Sequence, residues 1–243
     1  VANDEAGDFY IADMKAAGVD TNLGDDRDEG VTGKCLVMVT PDAERTMNTY
    51  LGISAELGPD DVDESVAAGA EVVFLEGYLF DKDKGKEAFI RTARTCRAAG
   101  GKAGIAISDP FCVERHRDDF LSLIENELDY VIGNEHEWCA LYQVDNLEEA
   151  LTKAAADSGL IVCTRSGDEV VLIEGDVRAN VPVNTIVPVD ATGAGDQFAA
   201  GFLYGLATGQ SLEMSGRMGC IAAAEVISHY GARPERDLKA LFH

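Results

Sequence analysis

From residue 72 to residue 230 the chain alternates short apolar runs with helical patterns, and this alternation restricts the fold more than any other feature. Val72-Val73-Phe74-Leu75 leads to a helix from about Lys84 to Ala99, stopped by Gly100-Gly101. Ala103 to Ser108 reads as the next strand, Phe120 to Glu127 as a helix and Leu128 to Ile132 as a strand. Helices over Glu135 to Tyr142 and Leu147 to Ser158 precede a strand at Leu160 to Thr164. Val170-Val171-Leu172-Ile173 and Val177 to Val181 form a hairpin around Gly175-Asp176, and a helix over Ser215 to Tyr230 closes the series. Apolar runs this short, separated by helices, are buried on both faces, so the pattern predicts a mainly parallel sheet covered by helices, with ligands at the C-terminal ends of the strands.

Ahead of the last helix stands the stretch richest in chemistry. Ile186-Val187-Pro188-Val189 gives way to Asp190-Ala191-Thr192-Gly193-Ala194-Gly195-Asp196, after which Phe198, Phe202, Leu203 and Leu206 recur at helical spacing. A glycine turn therefore opens a helix, where free N–H groups and the positive end of the dipole suit an anion. From chemistry alone an ordinary capped helix start is an equal alternative, because Asp and Gly serve as caps and turns in any protein. Two better-known phosphate loops do not fit: the dinucleotide fingerprint needs Gly where Phe198 stands, and Gly33-Lys34-Cys35 lacks the hydroxyl of a P-loop.

A strand enters a helix at Ile132-Gly133-Asn134-Glu135-His136-Glu137, which places Asn134 and Glu137 on one face of its first turn. Asn as N-cap and Glu three residues on complete a capping box, sufficient in itself; His136 between them reads as a surface residue. Thr32 to Thr40 and Arg45 to Leu51 flank Pro41-Asp42-Ala43-Glu44, a hairpin signal. Asp20 to Gly30 is acidic and turn-rich, a loop, and the stretch before it is an amphipathic helix ending near Gly18. Small residues around Gly219-Cys220-Ile221-Ala222-Ala223 are most simply close helix packing, and His229 interacts with the dipole at its helix end.

Charge and cysteine usage narrow the partners. With 44 acidic against 20 basic residues the formal charge is −24, and a repulsive field of that sign opposes nucleic acid and anionic membranes as partners. Six cysteines without C-x-x-C spacing read as reduced thiols of a cytoplasmic protein rather than a metal cluster.

The string Asp190 to Asp196 resembles the C-terminal signature of the ribokinase-like (PfkB) family of sugar and nucleoside kinases, and Asn134-x-x-Glu137 resembles that family's second signature. The stretches Arg45 to Gly52, Glu76-Gly77-Tyr78-Leu79 and Asp109 to Val113 are similar to its adenosine-kinase-like bacterial subgroup. The resemblance implies a ribokinase-like three-layer α/β/α sandwich with a small β lid, to which residues 31–53 contribute. It implies an ATP-dependent kinase acting on the primary hydroxyl of a small sugar or ribonucleoside. Asp196 would be the catalytic base, and Gly193, Ala194 and Gly195 the anion hole. Glu137, with Asn134 through water, would serve Mg²⁺. Thr164, Asn134, Arg45, Cys220 and Ala223 would contact ATP; an exposed, solvated Arg is the plain alternative for Arg45, and Cys220 replaces the Asn common in ribokinases. At Thr164 the family's T-x-G-x-x-G is matched in the Thr alone, since Ser166 and Glu169 occupy the glycine places. A monovalent cation as activator and a homodimer are both left open. A non-catalytic sugar or nucleotide sensor on the same fold is the rival reading, and a dehydrogenase-type nucleotide fold is a weaker one. Val1 to Gly7 resembles a helix that follows several earlier elements in the family, so the chain is expected to start inside a single domain, without its first central strand, and to be unstable alone.

Overall fold

The computed structural model describes residues 1–21 and 27–242, so part of the expected loop, residues 22–26, lies outside the described residues. A first helix, α1 (Glu5–Ala16), is followed by an antiparallel hairpin of β1 (Lys34–Val39) and β2 (Arg45–Tyr50). After α2 (Glu64–Gly69) comes the alternating region: β3 (Val72–Glu76), α3 (Asp83–Ala98), β4 (Lys102–Ala106), α4 (Pro110–Glu127), β5 (Tyr130–Asn134), α5 (Glu135–Tyr142), α6 (Leu147–Asp157) and β6 (Leu160–Thr164). The chain ends with β7 (Val170–Glu174), β8 (Val177–Val181), α7 (Ala194–Ala207), α8 (Leu212–Val226) and the single turn α9 (Leu238–Leu241). The main sheet has the order β3-β4-β5-β6-β7-β8, parallel from β3 to β6 and antiparallel at β7 and β8. Among the described residues no helix is long and apolar enough to cross a membrane.

Period-two alternation divides the strands between two cores. Val131, Ile161 and Cys163 face one side, packed with Phe89, Phe120, Ile124 and Trp138 from the helices α3 to α5. Tyr130, Ile132, Leu160 and Val162 face the other, against Phe198 and Phe202 of α7 and Cys220 of α8. The result is a three-layer sandwich.

Several features differ from the sequence reading. Helix α4 begins ten residues before the expected Phe120, because Asp109 Oδ1 accepts from the N–H groups of Phe111 (2.7 Å) and Cys112 (3.1 Å) and Pro110 sits at the first helical position. Non-helical dihedrals at His116 kink it, which breaks the periodicity a reader would follow. Strand β5 starts at Tyr130, since the Asp129 carboxylate is used to accept the Ala103 N–H at 2.9 Å. Helix α1 does form, yet it buries only Gly7 and leaves Phe9 75% exposed, so it does not present an apolar face to a core. Polar contacts tether it: Asp4 accepts from the N–H groups of Gly7 (2.8 Å) and Thr32 (2.9 Å).

The small residues of α7 and α8 do serve close packing. A Cβ on Gly201 would stand 2.5 Å from the Met218 carbonyl oxygen, and one on Gly205 would stand 2.7 Å from the Ser215 Cα. Backbone cannot yield as a side chain tip can. Gly201→Ala is therefore expected to cost about 3 kcal/mol by forcing the helices apart. Denaturant titration measures it, and an unchanged midpoint would show that the pair has room to spare.

Candidate active site

The C-terminal ends of the parallel strands deliver polar groups to one edge of the sandwich. Asn134 ends β5 and lies in register with Thr164 at the end of β6, so the two stand side by side. The capping box is complete. Asn134 Oδ1 accepts from the N–H groups of His136 (2.9 Å) and Glu137 (3.0 Å), and Glu137 Oε2 accepts the Asn134 N–H at 2.8 Å. The Asn134 side-chain amide also donates to Glu137 Oε1 at 2.6 Å. Glu137 is only 6% exposed. Burial pushes its carboxyl up to about 7; the Asn134 N–H pulls it down, and the negative charges of Asp109 and Glu76 add to the rise.

The glycine turn is built around Asp190, itself buried. Its Oδ1 accepts from the Thr192 N–H (2.8 Å) and hydroxyl (2.6 Å), and its Oδ2 accepts the Gly231 N–H at 2.9 Å. Burial opposes the charge on Asp190, but these donors, helped by Arg45, hold its carboxyl below the usual value. Gly193 adopts φ +81°, and a Cβ there would press to 2.9 Å from the Ala232 Cβ, so the position needs glycine twice over. Helix α7 starts at Ala194, whose N–H turns back to the Ala191 carbonyl at 3.3 Å. The first full helical bond runs from Gln197 N–H to the Gly193 carbonyl at 2.9 Å, so the amides of Gly195 and Asp196 precede it. Among the described residues no heavy atom beyond its own helix backbone and chain neighbours lies within 4 Å of where a Gly195 side chain would begin, which leaves the turn open on that side.

The hairpin reaches this turn. At its tip the buried Ala43, at φ +66°, offers its carbonyl to the Ala191 N–H at 3.3 Å, and Arg45 is close enough to influence Asp190.

Acidic groups converge on the same edge. Burial pushes the Glu76 carboxyl, the last residue of β3, up to about 7; the Ser108 hydroxyl donates to it and pulls it back, while the charge of Asp196 raises it. The Tyr78 phenol is pushed up to about 12 by burial and then by Asp109, Glu76, Glu137 and Asp196. One ring thus senses carboxylates from β3, the start of α4, α5 and α7, which puts Asp196 and Glu137 at the same end of the sheet. Glu76, Ser108 and Tyr78 escaped the sequence reading as site residues. Their signal was an acid closing an apolar strand, followed by Gly77, where a Cβ would meet the Ala106 and Ile107 carbonyl oxygens at 2.6 and 2.7 Å.

The remaining residues named from the sequence are less central. Thr164 is half-buried beside Asn134. Cys220 lies in the second core at 4% exposure, its thiol pushed up to about 11 by burial, whereas Ala223 is half-buried at the edge of that core.

An edge this rich in carboxylates repels a polyphosphate unless countercharge is supplied. The open amides of the glycine turn and Arg45 give part of it. Among the described residues no three side chains of the metal-ligating types stand close enough together to hold an ion between them. A cation here would be held by one or two carboxylates, by water and by phosphate oxygens, which is the habit of Mg²⁺ rather than of a caged metal, and the donor set fits it.

Comparison with known proteins gives the context. The chain is 30% identical over 240 residues to an uncharacterized sugar kinase of Archaeoglobus fulgidus, covering 96% of this chain and 91% of that protein. Among solved structures it resembles a probable sugar kinase from Rhizobium etli (41% identity, TM-score 0.94) and the adenosine kinase of Sinorhizobium meliloti (39%, TM-score 0.95), in each case covering 99% of this chain and 74% of the other. The sandwich is the ribokinase-like fold. The model of the pfkB family carbohydrate kinases matches residues 1–238, and the chain belongs to that family.

Proposed function

We propose that the protein transfers the γ-phosphoryl group of ATP to the primary hydroxyl of a small sugar or ribonucleoside. The observation that carries this reading is the carboxylate of Asp196, set one residue beyond the open Gly195 at a helix start and at the same end of the sheet as Asn134 and Glu137. Phosphoryl transfer passes through a loose transition state, so the protein's work is alignment and charge neutralisation. Asp196 orients the attacking hydroxyl and accepts its proton as the new bond forms. The amides of Gly193 and Gly195 and the dipole of α7 would receive the oxygens of the transferring group, and the Ala194 N–H would join them by leaving its 3.3 Å bond to the Ala191 carbonyl. Arg45, carried by the hairpin, adds a positive charge when the hairpin lies against the turn.

Glu137, steadied by Asn134, would hold Mg²⁺ through its carboxylate and water. When bound, that ion neutralises phosphate charge. Thr164, next to Asn134 in the sheet, would give a hydroxyl to the nucleotide phosphates. Glu76 and Tyr78 both feel the charge of Asp196, and their oxygens suit an acceptor substrate that carries several hydroxyls. The test is an assay of ATP-dependent phosphorylation against a panel of nucleosides and sugars. Phosphorylation of at least one at a primary hydroxyl is expected. Binding of ATP and sugar without transfer to any of them would favour the sensor reading instead.

A further inference from the structure

Behind the glycine turn lies a buried acid and imidazole for which the proposed chemistry has no use. Glu225, in the last turn of α8, has a side chain only 3% exposed. Its Oε1 accepts the N–H groups of Glu235 and Arg236, both at 3.0 Å, while its Oε2 is buried without a hydrogen-bond partner among the described residues. His229, 14% exposed, sets Nε2 3.5 Å from Glu225 Oε1 and Nδ1 3.3 Å from the Tyr230 carbonyl oxygen; Nδ1 is also 4.0 Å from Glu235 Oε1. Among the described residues the charged groups facing the ring are thus Glu225 from α8 and Glu235 from the segment after it, both negative.

Both ring nitrogens face oxygen acceptors. A neutral imidazole carries a single N–H, so in either tautomer one nitrogen sets a lone pair against an oxygen. The doubly protonated ring donates from Nδ1 to the Tyr230 carbonyl, and its Nε2, buried and without a hydrogen-bond partner among the described residues, meets Glu225 Oε1 as an ion pair across 3.5 Å. Burial opposes the charge, but the Tyr230 carbonyl, Glu225 and Glu235 outweigh it and hold His229 above its ordinary value.

The segment that His229 anchors is bound to the glycine turn on both sides of the ring. Two residues before it, the Ile227 carbonyl accepts the Val189 N–H at 2.8 Å. Two residues after it, the Gly231 N–H donates to Asp190 Oδ2 at 2.9 Å, and Ala232 packs against Gly193. The Ala232 carbonyl also accepts from the Gln197 side chain, in the first turn of α7, at 3.4 Å.

We propose that His229 is a positioning residue for the glycine turn, whose proton clamps residues 227–236 in the arrangement that holds Asp190 and Gly193. Loss of the proton turns one acceptor against a lone pair, loosens the segment and relaxes the phosphate site. The effect on rate rests on the kinase reading above; the structural coupling does not.

The experiment is a pH titration of the native chain by NMR, following the His229 ring and the Gly231 amide. His229 is expected to titrate above its ordinary ~6.5, and the Gly231 amide shift is expected to move with the same midpoint. Glu225→Gln is expected to lower that midpoint. In the kinase assay, kcat/KM for ATP is expected to fall about fivefold across the His229 midpoint, at the low end of couplings between sites, and His229→Gln is expected to lack that step. A ring that titrates at or below its ordinary value, or a Gly231 amide indifferent to it, overturns the proposal. Absence of phosphoryl transfer to any acceptor would defeat the kinase reading alone, because the titration of the native chain still decides the clamp.

Discussion

Asp196→Asn is expected to lower kcat about 10²- to 10⁴-fold, the usual cost of removing a general base, while ATP affinity stays equal or improves. The asymmetry follows from the site's electrostatics. Asp196 stands at an edge where Glu76, Asp109 and Glu137 already crowd negative charge around Tyr78. A neutral amide of the same shape removes one repulsive charge beside the phosphates and leaves the Gly193 turn untouched, because the Asp190 contacts that shape it do not involve Asp196. Steady-state kinetics with a saturating acceptor, combined with calorimetric titration of ATP, separates the two effects. Near-normal turnover by the Asn variant would remove Asp196 from the role of base. A parallel loss of ATP affinity would assign it to nucleotide binding.

Stability is expected to decline as pH rises from about 5 to about 7, contrary to the common acid lability of proteins. Glu76 and Glu137 each rise from 4.5 to about 7 on folding, chiefly through burial, so in this window the folded chain keeps protons that the unfolded chain has released. The stability they contribute is complete below the unfolded value and is lost as pH climbs through the folded one. A shift of this size is worth on the order of 3 kcal/mol for one carboxyl treated alone. The pair sums to less than twice that, because part of the rise of Glu137 comes from the charge of Glu76. Asp190 acts in the opposite sense, since its depressed value costs stability only below its unfolded value near 4, outside the window. Guanidinium titrations at pH 5, 6 and 7 measure the slope, and Glu76→Gln is expected to flatten it. A free energy of unfolding that rises over this range would mean that these carboxyls are solvated in the folded chain.

The layers and the two signature turns were legible because each rests on short-range rules. Apolar runs broken by Gly100-Gly101 and Gly175-Asp176 fix strands and helices locally, and Asn134 with Glu137 closes a box within four residues of chain. What escaped were features made by distant segments. Glu76 is an ordinary strand-end acid until the chain, thirty-two residues on, returns Ser108 to its carboxylate. Helix α1 carries a plausible apolar stripe in sequence, but sequence cannot say whether a surface lies opposite, and Phe9 meets none among the described residues. His229 read as a dipole partner because the helix end is visible in sequence; the oxygen acceptors at both ring nitrogens are visible only once Glu225 and Tyr230 are in place.

The hairpin tip has a consequence for how members of such a family diverge or are re-engineered. Ala43 and Arg45 meet the glycine turn at one end of β1 and β2, while Leu36, Met38, Met47 and Tyr50 farther along the ribbon remain exposed. The ribbon is therefore two modules in tandem, a tip constrained by its fit to the turn and a body with an exposed face free to drift. On the kinase reading proposed above, a foreign hairpin grafted here should retain Ala43 and Arg45 and exchange only the body, because a swap that includes the tip disturbs the contacts to the turn proposed to hold phosphate.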